Sequence, residues 1–231
     1  MFDFANYTNG VEGWLTEDEG LFLYEITKNV KEENAAVEIG SWKGKSTICI
    51  AKGLNDGRKG KVYAIDPHTG SPEHRNIFGK VDTFKEFEEN ISNKEVNSFV
   101  MAIRDTSENA SKKFELPVEF IFIDGDHDLR AVAKDFESWF PKVIDGGTIA
   151  FHDSWNFIGP NILTACLLLF SPKVKNPGLI NRITYFEKTE KNSMLDRFRN
   201  IKFLLHRTMF ALKIFIYKNR KKLRKFIRNR I

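Results

Sequence analysis

Val37-Glu38-Ile39-Gly40-Ser41-Trp42-Lys43-Gly44-Lys45-Ser46-Thr47 is an apolar run that breaks at two glycines with three residues between them. It reads as a buried strand, a sharp turn at Gly40, and a helix that starts near Lys45. Gly40 permits the turn, and Gly44 lets backbone come close to a ligand at the helix start. The spacing is neither G-x-x-x-x-G-K-[ST] nor G-x-G-x-x-G, so a phosphate-binding P-loop and the dinucleotide fingerprint are both excluded.

Working outward from this stretch, β-type and α-type segments alternate. Strands are expected at 35–40, 61–66, 98–103, 118–124 and 147–153. Helices are expected at 45–54, 81–90, 107–114, 129–140 (stopped by Pro141) and from Pro160 to Phe170. The pair Gly146-Gly147 reads as a turn ahead of the fifth strand, and 179–187 as one late strand or a hairpin arm. Such alternation predicts an α/β fold, a Rossmann-like doubly wound and mostly parallel sheet with helices on both faces. The strands are short and nearly all apolar, as in a sheet covered on both sides. Residues 1–34 read as an N-terminal helical cap, with Thr16 and Glu19 spaced as a capping box. The central domain is expected over 35–192, and 193–231 forms a basic amphipathic helical tail.

Chemistry-bearing residues collect at the expected strand ends. Tyr63-Ala64-Ile65-Asp66 closes the second strand in an acid, where an open α/β sheet presents ribose hydroxyls. Ile123-Asp124-Gly125-Asp126-His127 and Phe151-His152-Asp153 put carboxylates and imidazoles at two further strand ends, which line the ligand crevice of such a sheet. Asp124 and Asp153 offer hard oxygen ligands suited to Mg²⁺. His152 is softer and leaves Mn²⁺ open. Asp126 and Asp128 also suit the start of a helix near Leu129. His127 is the candidate general base, because an imidazole can take a hydroxyl proton near neutral pH. The polar loop 67–79, with His68 and His74, reads as solvated or as part of a substrate lid. Cys49 and Cys166 lie far apart in apolar helical contexts and read as reduced, buried thiols.

Taken together, 123–153 carries I-D-G-x-H, then Asp135-x-x-x-Trp139, then Gly146-Gly147 followed by His152-Asp153. With the E-x-G-x-x-x-G turn at 38–44, this resembles the class I S-adenosylmethionine-dependent methyltransferases. The likeness is to a small bacterial family often tied to sugar and surface-polysaccharide pathways, and it covers about half the chain. The resemblance implies S-adenosylmethionine as cofactor and transfer to oxygen. It implies that Glu38, Gly40, Ser41, Gly44 and Ser46 shape the cofactor turn. It places Asp66 on the ribose and Asp105 and Thr106 beside the adenine, although Asp105 also suits a helix cap. By analogy with metal-dependent O-methyltransferases, Asp124 and Asp153 hold a divalent ion with His152 third. His152-Asp153-Ser154 departs from the D-N or E-D common at that second site.

Charge is divided unevenly. Residues 193–231 hold 13 Lys/Arg and one acid, a formal +12, whereas 1–192 carry −7. In the tail Ile201, Leu205, Met209, Leu212, Ile216, Leu223, Ile227 and Ile231 recur near helical spacing, with Lys202, Arg207 and Lys213 interrupting. No apolar run approaches the ~20 residues of a membrane span. The pattern fits a helix lying on an anionic membrane surface. A packed C-terminal helix is the alternative. A nucleic-acid arm is disfavoured by the wide apolar stripe. The N-terminus lacks a basic region followed by an apolar run, so no signal peptide is expected. The expected partners are a small-molecule or glycan acceptor and a membrane, with the chain cytoplasmic and peripheral. An RNA methyltransferase and a catalytically silent scaffold are the rival readings.

Overall fold

The computed structural model describes residues 2–58 and 60–228, with side-chain surroundings for all of these except 73, 74, 78, 215, 218, 219 and 221–228. The chain opens with helices α1 (Phe4–Thr8) and α2 (Glu17–Thr27). It then alternates β1 (Ala35–Ile39), α3 (Lys45–Gly57), β2 (Val62–Ile65), α4 (Pro72–Phe78), α5 (Phe84–Asn93), β3 (Val100–Ile103), α6 (Ser107–Lys113), β4 (Val118–Ile123), α7 (Leu129–Trp139) and β5 (Val143–Phe151). Helix α8 (Ile158–Phe170), strands β6 (Val174–Ile180) and β7 (Ile183–Lys188), and the long helix α9 (Met194–Arg228) complete it.

One seven-stranded sheet runs in the order β3-β2-β1-β4-β5-β7-β6. Strands β1 to β5 pair in parallel, and β7 runs antiparallel to both β5 and β6. Alternate residues serve opposite cores. Ala36, Ala64, Phe120, Phe122 and Ala150 face the layer of α2, α3 and α5. Val37, Ile39, Ile121, Ile123 and Phe151 face the layer of α6, α7 and α8. The strand order reverses between β1 and β4, so a crevice opens beyond their carboxyl ends.

Several sequence readings are corrected. Of the two readings of 179–187 the hairpin holds and the single strand does not: β6 and β7 form a hairpin turning at Asn181 and Arg182, with Asn176 and Asn181 at positive φ. The pair Gly146-Gly147 lies inside β5. Gly146 has φ +80°, and the register to β4 slips there, from Val118 opposite Val143 to Phe120 opposite Thr148. A bulge, not a turn, is what that glycine serves. Loop 67–79 contains α4, and His68 is buried rather than solvated. Its Nδ1 lies 2.9 Å from Thr83 Oγ1, and its ring packs against Phe84 and Phe87. The side chain of His74 falls outside the described ones. Cys49 is buried as expected, but Cys166 is exposed on α8.

The first half of α9 packs on the domain. Asn200 Nδ2 donates to the Val174 carbonyl (3.0 Å), and Phe203 joins the core under α8. Arg207 is buried among Thr164, Thr184 and Asn161, donating to their oxygens at 2.6 to 3.3 Å. Burial lowers its guanidinium to about 10. Readings at Leu223 and Ile227 fall on helix positions whose side chains are not described, and Ile231 lies outside the described residues. Arg207→Ala should cost about 2–4 kcal/mol of stability, because two threonine hydroxyls and Asn161 lose their donor and a cavity opens. Arg207→Met, which fills the same space, should recover part of it. Chemical denaturation of the two variants checks both.

Candidate active site

The turn after β1 is shaped by a close approach. Gly40 has φ +83°, and a Cβ there would strike the Asp124 carbonyl and lie 2.8 Å from Gly125 Cα. The ends of β1 and β4 therefore touch, and any side chain at 40 would force them apart. Below the turn, Glu38 is wholly buried and accepts the Thr47 hydroxyl. Burial pushes its carboxyl up to about 8, against the opposing bonds from Ser46 and Thr47. Asp66 ties the turn from the side. Its Oδ2 accepts the N–H groups of Ser41 and Trp42, both at 2.9 Å, and its Oδ1 accepts that of His68 at 2.6 Å. A carboxylate has about four acceptor sites, so one remains for a ligand.

Over this turn lies a cavity of about 660 Å³. Gly40, Ser41, Ser46, Asp66 and Thr106 line one part of it, and Asp124, His127, His152, Asp153 and Phe157 another. Trp14 and Leu15 from the N-terminal segment, Pro67, Thr69 to Pro72, Arg75 and Ile77 also line it, so the α4 loop does border the cavity. Glu38 and Gly44 shape the turn from outside the wall. Gly44 heads α3 at φ +89°, with its Cα turned toward Phe87 and Ile91. Asp105 also stands outside the wall: it accepts from Thr106 N–H and the Asn109 amide. Thr106 caps α6, and Asp128 caps α7 with Asp126 accepting from its N–H.

At the ends of β4 and β5 the structure brings Asp124, His152 and Asp153 together, with one ligand atom of each within 4.8 Å of the others. His152 Nδ1 lies 2.9 Å from Asp124 Oδ1 and 3.4 Å from Asp153 Oδ2, and Nε2 faces Glu19 Oε1 at 3.5 Å. Burial opposes a charge on this ring, but the three carboxylates raise its pKa well above the ordinary value of 6.5. Arg182, in the β6–β7 turn, donates to Asp153 Oδ1 (3.0 Å) and lies 3.3 Å from Glu19. Asp153 has φ +50°, a strained backbone for a residue with a Cβ. Despite burial, hydrogen bonds from His127 and His152 hold its carboxyl far below the usual carboxylate range. His127 Nε2 sits 3.4 Å from Asp153 Oδ2, with its ring stacked on Phe157 at 3.8 Å.

Two site residues, Glu19 and Arg182, escape the sequence reading, and a third, Asp135, enters it only as part of a motif with no role assigned. Glu19 reads as a cap, and Thr16 N–H does donate to it (2.8 Å), yet it is wholly buried against His152. Arg182 lies in a polar turn like any other. Asp135 left a signal: it shares the stripe of Val132, Phe136 and Trp139 on α7. It lines the cavity, and burial pushes its carboxyl up to about 6 against a bond from Ser107.

The sequence profile of a family described as a methyltransferase domain matches residues 37–154, from β1 to the loop after β5. The chain belongs to this family. Its fold is the class I methyltransferase fold. The O-methyltransferase NovP superposes with a TM-score of 0.63 at 16% identity, over 75% of this chain and 80% of NovP. An O-methyltransferase from Bacillus cereus, solved in complex with SAH, gives 0.54 at 20% identity, over 80% and 86%. An rRNA methylase from Streptococcus thermophilus gives 0.52 at 16%, over 77% of this chain and 100% of that one. An uncharacterised protein, y4gI, of Sinorhizobium fredii is 28% identical over 120 residues, and the matched part is 51% of this chain but 13% of that protein.

The Glu19 carboxyl ties the stability of this site to pH. Burial alone would raise the Glu19 carboxyl. His152, the Thr16 amide and Arg182 overcome it and hold the group at about 2 instead of 4.5. A depressed carboxyl stabilises the fold above its unfolded pKa, and that contribution is lost as pH falls from about 4.5 to 2. It amounts to roughly 3 kcal/mol. Glu19→Gln should lose this much at neutral pH and show a flatter stability profile in acid, read by urea denaturation at several pH values.

Proposed function

We propose that this protein transfers a methyl group from S-adenosylmethionine to an oxygen acceptor, a sugar hydroxyl in a glycan or lipid-linked intermediate, at the inner surface of a membrane. The observation that carries the reading is His127 held on Asp153 in the wall of the cavity that the Gly40 turn opens.

The residues present fit the cofactor. Ser41 Oγ is buried in the cavity wall with no hydrogen-bond partner, and Asp66 keeps one acceptor site over the turn. Ser41, Ser46 and Asp66 would hold the cofactor with Thr106 beside its base, while Glu38, Gly40 and Gly44 set the shape of the turn. When bound, S-adenosylmethionine supplies an electrophilic methyl group on sulfur. The chain's own part is to align the acceptor oxygen with that carbon and to receive the hydroxyl proton on His127. Alignment supplies most of the acceleration. Asp153 and the stacked Phe157 keep the imidazole in place.

Two carboxylates and an imidazole also fit a divalent ion, Mn²⁺ more readily than Mg²⁺. Asp124 and Asp153 would hold it with His152 third, and the ion would supply charge to orient an acceptor oxygen. It would compete with the proton on His152, so binding should release protons and tighten as pH rises. Calorimetry with Mn²⁺ alone in two buffers of different ionisation enthalpy reads the proton count. Asp124→Asn should abolish the binding heat, and a wild-type protein that gives no heat excludes the ion.

The cofactor reading is tested with S-adenosylhomocysteine. Wild-type protein should bind it in calorimetry. Asp66→Ala should bind at least tenfold more weakly, a loss of about 1.4 kcal/mol. Gly40→Val should not bind. No binding by the wild type removes the methyl-transfer reading. Binding without turnover on any glycan or lipid-linked acceptor favours the scaffold, and turnover on RNA alone favours the nucleic-acid enzyme.

A further inference from the structure

Helix α9 has two faces. Its inner face, with Asn200, Phe203 and Arg207, is fixed to β6, α8 and β7 by the contacts described above. The opposite face carries Phe198, Ile201, Leu205, Met209, Leu212 and Ile216. These are 65, 45, 63, 58, 55 and 42% exposed. At about 100° per residue they fall within an arc of roughly 80° and run some 27 Å along the helix. The helical register continues the same stripe through positions 223 and 227. Lys202, His206, Lys213 and Arg220 fall along one edge of it, in a segment whose formal charge is +12.

We propose that this outer face is a docking surface for an anionic lipid bilayer, with α9 lying flat in the interface while its inner face stays packed on the domain. The proposal deepens the membrane part of the functional reading and names the surface that would meet the lipid. Among the described residues no helix is long and apolar enough to cross a membrane, so the stripe needs an apolar surface, not a span. Charge selects which surface. A bilayer of acidic lipids offers an apolar layer and an anionic one at adjacent depths, matching the stripe and its basic edge. A second copy of this chain, paired through the same face, would bring two +12 segments together.

The same helix touches the loop that follows Asp153. Phe210 meets Trp155 edge-on at 5.8 Å, and Trp155 Nε1 donates to the Asn181 carbonyl (2.7 Å), between the Asp153 loop and the Arg182 turn. A docked α9 therefore holds these two loops beside the bilayer, which suits an acceptor anchored in lipid.

The test is co-sedimentation of the full-length chain with phosphatidylcholine vesicles, with and without phosphatidylglycerol. Three variants are compared: wild type, the outer-face double variant Leu205→Gln/Met209→Gln, and the edge variant Lys202→Glu/Lys213→Glu. Wild type should pellet only with the anionic vesicles, and less as salt rises. Both variants should bind at least tenfold more weakly. Their melting temperatures and S-adenosylhomocysteine affinities should stay at the wild-type values, so loss of docking is separable from loss of the fold or of the cofactor site. Wild type left in the supernatant with anionic vesicles overturns the proposal. So does an outer-face variant that pellets like wild type. A lipid-free dimer that the Leu205→Gln/Met209→Gln change dissociates assigns the face to a second copy instead.

Discussion

A buried imidazole shared by three carboxylates is the constraint on which the rest of the site depends. His152 sits between Asp124 of the β4 end, Asp153 of the β5 end and Glu19 of α2, and Arg182 of the β6–β7 turn binds Asp153 and Glu19. Charges removed from water are tolerated only when they are paired with one another. Each member is therefore stable in the interior only if the others have arrived. This couples four distant parts of the chain. Helix α2 and the antiparallel hairpin are tied to the strand ends by the charges of Glu19 and Arg182. The strained backbone of Asp153 is held by the same partners.

How much could be read from sequence follows the range of the interactions involved. The β1 run, the Gly40 turn and the acid at Asp66 are local, and their pattern is carried by neighbouring residues. The capping roles of Thr16 and Asp128 are local as well, whereas the cap of α6 falls on Thr106 and not on the neighbouring Asp105. Gly146 was misread because a turn and a bulge both call for a residue at positive φ, and only the partner strand tells them apart. The β6–β7 hairpin was blurred because Pro177 and Gly178 break the strand pattern where the register slips. His68 reads as solvated because its company, Thr83, Phe84 and Phe87, comes from α5 and its cap, beyond the intervening α4. Glu19 and Arg182 were invisible as site residues, since 163 positions separate them. Asp135 was legible in principle: an acid on the apolar stripe of an amphipathic helix needs a reason to be there.

The tail shows why packing and docking are not alternatives. Its sequence stripe is too wide for one face, and the structure divides it. Phe203 and Arg207 turn inward, while Leu205, Met209 and Leu212 turn to solvent. Arg207 belongs to the inner set although it is charged, because Thr164, Thr184 and Asn161 satisfy its donors. A basic residue count alone would have placed it outside.

The charge on His152 is the most direct point of attack. In metal-free protein, ¹⁵N NMR of the ring nitrogens should show both still protonated where an ordinary imidazole has lost its proton, because burial is outweighed by Asp124, Asp153 and Glu19. A ring that titrates near the ordinary 6.5 to a neutral single tautomer would contradict the shared-imidazole lattice and the coupling of the four chain segments built on it.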